Sequence, residues 1–169
     1  MSRAFVKEDD QSQAGDELPE RPLSPHPNYV TARGLAELKR ELDGLIAQRE
    51  AALQNGGALV AAESLRRIDR NLRYAKARVS SAIPVDLAEQ PADEVSFGAR
   101  VRVRDPEGQE RVFAIVGEDE ADTEQGKVSW VSPLARALRG GQPGDRVRWK
   151  RPTGDLELEV VSIDYSETD

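Results

Sequence analysis

The apolar positions of the chain change period once, and the change divides it. Leu35, Leu38, Leu42, Leu45, Arg49 and Ala52 recur at alternating spacings of three and four, with Glu37, Lys39, Arg40, Glu41 and Asp43 on the other faces. This is the heptad pattern of a narrow coiled-coil seam and predicts a helix over 31–54. Thr31 suits its N-cap, although no acid follows three residues on. Asn55-Gly56-Gly57 interrupts the pattern with residues that tolerate left-handed conformations at a helix end. A second stripe follows at Ala61, Leu65, Ile68, Leu72, Ala75, Val79 and Ala82, and Pro84 stops it. Two thin stripes around a short turn predict an antiparallel helical hairpin, each helix burying its seam against the other.

Beyond Pro91 the period becomes two. Alternation at 95–97, 99–103, 111–116, 127–131, 146–150 and 156–163 predicts about five strands, separated by Asp105-Pro106-Glu107-Gly108, Gly140-Gly141 and Pro152-Thr153-Gly154-Asp155. Ser132 as N-cap and Pro133 at the first helical position predict one short helix to Arg139. The fold class is therefore α+β: an N-terminal coiled-coil hairpin (29–83), a linker (84–92) and an antiparallel sheet domain with one short helix (93–166). Residues 1–28 crowd acids with Pro19, Pro22, Pro25 and Pro27, and read as a disordered tail that buries too little to offset its ordering entropy.

Composition narrows the chemistry. The chain has 169 residues, no cysteine and one histidine. Disulfides, thiolate metal sites, cysteine nucleophiles and multi-histidine metal sites are excluded. His26 lies between two prolines in the expected tail, a poor setting for a held catalytic base. The longest apolar runs fall far short of the roughly 18–20 residues of a membrane helix. No basic patch leads into an apolar stretch at the N-terminus, so no signal peptide and a cytoplasmic protein are expected; a monomer without cofactor is expected as well. Glu118-Asp119-Glu120-Ala121-Asp122 lacks the ligand spacing of an EF-hand loop and reads as an acidic turn. The glycines at 140–144 are followed by no Lys-Ser/Thr, which argues against a phosphate loop. Trp130 and Trp149 read as core or half-buried strand residues.

The net charge of −7 hides an asymmetry: segment 59–82 carries six bases against two acids, and 93–169 eleven against seventeen. Arg66, Arg70 and Arg73 stand three or four residues apart and form one ridge, which can follow phosphates or simply hold water.

Several strings in this order resemble the bacterial Gre transcript-cleavage and elongation factors, GreA and GreB. Thr31-Ala32-Arg33-Gly34-Leu35-Ala36-Glu37-Leu38 is similar to the family's opening T-x-x-G-x-x-x-L. Phe97-Gly98-Ala99-Arg100-Val101 resembles its F-G-A-x-V, and Ile115 to Asp122 its I-V-G-x-D-E-A-D. Ser132-Pro133-Leu134-Ala135-Arg136-Ala137-Leu138 resembles its S-P-x-A-R-A-L. Leu65 to Tyr74 looks more like GreB than GreA. The resemblance spans about residues 29–165. It implies an FKBP-like second domain docked at the rim of the RNA polymerase secondary channel, with the hairpin entering toward the polymerase active site. The implied polymerase contacts are Val131, Ser132, Pro133, Asp119 and Asp122, with Arg66, Arg70 and Arg73 as a basic face toward nascent RNA. The position before Ser132 is usually Asp or Asn in the family and is Val131 here.

The tip departs furthest. Cleavage-stimulating members carry an acidic G-D-x-x-E-N-A-x-Y tip whose carboxylates help hold a metal ion and a water in the polymerase active site. Here the turn is Gln54-Asn55-Gly56-Gly57-Ala58. Glu50 and Glu63, the nearest acids, would sit roughly 7–9 Å short of it at ~1.5 Å per residue. Relative to those factors, the stretch from Thr31 to Phe97 is about two heptads shorter, or ~10 Å less reach. The resemblance therefore implies a polymerase-binding, transcription-modulating factor that is not itself an enzyme and lacks direct cleavage stimulation. The alternatives are a working anti-arrest factor using Glu50 or Glu63, and an FKBP-like adaptor or folding helper unconnected with transcription.

Overall fold

The computed structural model describes residues 18–55 and 60–166. Gly56 and Gly57 of the expected tip, and most of the expected tail, lie outside them. The elements run β1 (Tyr29–Val30), α1 (Ala32–Gln54), α2 (Val60–Ser81), β2 (Ile83–Pro84), β3 (Arg100–Arg104), β4 (Glu110–Val116), β5 (Lys127–Ser129), α3 (Pro133–Leu138), β6 (Arg146–Trp149) and β7 (Leu156–Asp164).

Thr31 caps α1 with its hydroxyl accepting from the Gly34 N–H at 2.9 Å, and Asn55 closes the other end by donating to the Ala51 carbonyl. The expected seam is the buried one. Leu38, Leu45, Leu72 and Ala75 are buried, and Leu42 packs beside them. Arg49, the polar member of the α1 stripe, reaches across to the Asp69 carboxylate at 2.7 Å. Such a pair keeps register more than it adds stability.

The sheet has five strands in the order β5-β4-β3-β7-β6. Three pairings are antiparallel, as expected, but β4 and β5 run parallel. Their connection passes through a 3-10 turn at Thr123–Gln125 before β5 enters in the same direction as β4. The sheet is therefore mixed. Residues 95–97 form no strand. Val95 is buried in a loop, and Gly98 follows at φ 84°, where Leu87 packs so closely that no Cβ would fit. Val101, Val103, Ile115, Leu158 and Val160 cover one face of the sheet, and α3 lays Leu134, Ala135 and Leu138 onto them. The other face is a charge lattice in which Arg104 pairs with Glu110 at 2.7 Å and Glu159 at 3.4 Å.

Two segments differ from the sequence expectation. Residues 18–28 lie against the folded body, with Asn28 buried and His26 edge-on to Trp130 at 6.0 Å. Prolines hold the backbone extended without secondary structure, so the contacts come from the polar side chains between them. The segment after α2 is also more than a linker: Ile83 and Pro84 pair in parallel with Tyr29 and Val30, a two-residue ribbon that ties the base of both helices.

Leu138 is fully buried between α3 and the sheet. Leu138→Ala is expected to lower unfolding stability by about 3 kcal/mol, read as a fall in the urea midpoint at unchanged slope.

Candidate functional site

The base of the hairpin meets the turn after β4, and the contact is ionic at its centre. Arg78 on the last turn of α2 is buried, its side chain 4% exposed. Its Nε donates to Asp119 Oδ2 at 2.6 Å, and its Nη2 to Asn28 Oδ1 at 2.7 Å. Glu118 Oε2 stands 3.9 Å away. Asn28 returns the contact by donating from Nδ2 to the Arg78 carbonyl at 2.7 Å. Tyr74, one turn back on α2, donates from its hydroxyl to Asp119 Oδ1 at 2.7 Å. Burial, and then this hydrogen bond, hold the Tyr74 phenol above its usual pKa. A buried guanidinium without a counter-charge would be costly, so Arg78 dictates where the acidic turn must sit.

Two glycines let the parts close. A Cβ at Gly117 would lie 2.5 Å from the Tyr29 carbonyl oxygen, and one at Gly34 would lie 2.5 Å from Glu120 Oε2. Thr31 fills the space beside Gly34, its hydroxyl donating to Glu120 Oε2 at 2.6 Å while capping α1. The opening T-x-x-G string and the acidic string thus meet as two halves of one contact.

This changes the reading of two expected polymerase contacts. Asp119 has both carboxylate oxygens occupied by Arg78 and Tyr74. Asp122 caps the 3-10 turn, accepting from the Glu124 N–H at 3.0 Å and from Gln125 Nε2 at 2.8 Å. Both acids hold the fold together, and their spacing in sequence gave no sign of which base they would meet.

The third expected group is intact as a surface feature. Ser132 accepts the Ala135 N–H at 3.2 Å as N-cap of α3, Pro133 is exposed at the first helical position, and Val131 is half-buried before them. Beside them lies a cavity of about 500 Å³, walled by Tyr29, Phe97, Trp130 and Ala135 with Arg139 at its edge. The Trp130 ring meets Tyr29 at 5.0 Å and the Arg139 guanidinium at 5.7 Å, and its indole N–H is buried without a partner. Trp130 is half-buried, within the expectation of a core or half-buried residue, but nothing in the sequence indicates that residues 26–29 complete this cluster. On α2, Arg73 is taken by Glu20, and Arg70 is half-buried. Among the described residues no group of histidines and carboxylates could hold a metal ion, and no helix is long and apolar enough to cross a membrane.

A helical arm locked by a buried arginine to a mixed-sheet domain defines a two-part factor built to hold a projecting hairpin. Residues 90–165 match the family described as transcription elongation factor GreA/GreB, C-terminal. Transcription elongation factor GreB of Neisseria meningitidis serogroup B is 36% identical over 157 residues, covering 84% of this chain and 96% of that protein. GreA of Nitratidesulfovibrio vulgaris is 31% identical over 153 residues, covering 82% and 94%. Among solved structures, GreA factor homolog 1 of Thermus thermophilus aligns with a TM-score of 0.40 at 22% identity, covering 82% of this chain and 99% of that one. The chain belongs to the GreA/GreB family of transcription elongation factors.

Asp119→Ala would remove the hydrogen-bonded counter-charge of Arg78 and leave only Glu118 at 3.9 Å. It is expected to cost about 3 kcal/mol in urea unfolding, and Arg78→Met in the same background should recover part of the loss.

Proposed function

We propose that the protein binds RNA polymerase with its hairpin in the secondary channel and the Val131-Ser132-Pro133 end of α3 at the channel rim. There it modulates transcription without stimulating transcript cleavage. The observation that carries this reading is the tip: Gln54-Asn55-Gly56-Gly57-Ala58 contains no carboxylate. Metal-assisted hydrolysis needs a ligand placed within ångströms of the reacting phosphate, and amides, glycines and an alanine supply none. Glu63 is paired with Arg67 on its own helix at 2.9 Å, and Glu50 is exposed on α1.

Length supports the same reading. The match to the Neisseria relative spans 157 positions but takes up 84% of 169 residues. Roughly fifteen positions of the relative then have no counterpart, enough to shorten each arm of a hairpin by about two turns, or ~10 Å. A factor occupying the channel without delivering a ligand acts by exclusion and by altering pausing. Family membership favours this over a folding helper unconnected with transcription.

The test uses arrested elongation complexes and purified protein. The expected result is binding to polymerase, no RNA cleavage above the polymerase's intrinsic rate, and slower cleavage by an added GreB. Strong cleavage that Glu50→Ala or Glu63→Ala abolishes would establish the anti-arrest reading instead, and absence of competition would exclude channel entry.

The rim contact has its own test. Ser132→Ala with Pro133→Ala should lower polymerase affinity at least tenfold while costing about 1–2 kcal/mol of stability through the lost cap. Unchanged affinity in the folded double variant would leave these residues as helix starters only.

A further inference from the structure

One ridge of α2 carries Arg66, Arg70 and Arg73, and the N-terminal segment runs along it. Its path is fixed at three points. Asn28 sits at Arg78, the Arg21 guanidinium lies 3.7 Å over the Tyr74 ring, and Glu20 takes Arg73 through Nε at 3.1 Å and Nη2 at 2.5 Å. Lower residue numbers in the segment thus meet lower numbers on α2, so the two run side by side toward the hairpin tip. The hydrogen bond from Arg73 holds the Glu20 carboxyl below its usual range, and the Arg70 charge adds to the effect. Next along the helix is Arg70, whose Nε is buried and has no hydrogen-bond partner. A buried guanidinium N–H without an acceptor is rare and calls for a carboxylate.

The sequence supplies one in the right place. Asp16 and Glu17 precede Leu18, and Glu8, Asp9 and Asp10 come before them. Arg70 lies ~4.5 Å along the axis from Arg73, and three extended residues reach ~10 Å, so Glu17 has chain to spare.

We propose that the acidic segment 8–17 docks on the basic face of α2, continuing the strap formed by Glu20 and Arg21. The face that the arginines would offer to a polyanion is then occupied by the protein's own tail. The occupant is this segment and not an external nucleic acid, because the segment is covalently tethered beside the face at Leu18 and its charge is complementary. Tethering gives it an effective concentration in the millimolar range.

The chain has no cysteine, so a single Ser12→Cys substitution in the full chain accepts a nitroxide label without background. The label should broaden amides of α2 around Arg66 to Arg73 more than those of β3 and β7, and about 0.5 M salt should remove the effect. In parallel, a fluorescent single-stranded RNA 12-mer is titrated against the full chain and its Glu8→Gln, Asp9→Asn, Asp10→Asn, Asp16→Asn, Glu17→Gln variant. The variant should bind about tenfold tighter at low salt. Broadening that is uniform or centred on the sheet, or equal RNA affinity in the two proteins, would overturn the proposal. Polymerase is absent from both measurements, so their outcome is independent of the channel reading.

Discussion

One buried guanidinium sets the geometry of the molecule. Arg78 cannot be solvated where it lies, so it must find an anion and further acceptors within its own chain. Asp119 and Asn28 meet that demand from opposite sides in sequence, one after the sheet has begun and one before the hairpin starts. The hairpin, the N-terminal strap and the sheet domain are therefore not three bodies on linkers. They share one ionic centre, and a hairpin placed at another angle would leave that centre unsatisfied.

The helical half was legible because its periodicity is long and its stops are strong. The stripe from Leu35 to Ala52, the cap at Thr31 and the break at Asn55 each rest on local chemistry that tertiary context did not override. The five strands match their alternating stretches within a residue or two for the same reason, but the alternation at 95–97 is a loop, and the direction of β5 is not written in its residues. Nothing in Lys127-Val128-Ser129 states whether it enters parallel or antiparallel; the 3-10 turn capped by Asp122 decides that. The site was legible in its strings and not in its roles. A run such as Glu118-Asp119-Glu120 announces charge, but its partners lie more than forty residues away, and only folding brings Arg78, Tyr74 and Thr31 to it.

The ordering of residues 18–28 is hidden from the sequence for a related reason. Four prolines within nine residues forbid regular hydrogen bonding, and absence of secondary structure resembles absence of order in a one-dimensional reading. What orders the segment is a set of discrete anchors at Glu20, Arg21, His26 and Asn28, none of them apolar. Composition-based arguments count buried hydrophobic area and have no means of seeing such anchors.

The short parallel ribbon of β1 and β2 has a mechanical meaning. It sits at the foot of a lever: α1 has 23 residues and extends ~34 Å from its cap. Turning that lever by about 5° at its foot would swing the far end through ~3 Å, the difference between touching a target and missing it. With only two residue pairs in the ribbon, angular stiffness must come from the interlocked Gly34 and Gly117 and from the acids facing Thr31 and Arg78. Variation at these positions, far from any tip, would re-aim the arm without altering a single residue that it presents.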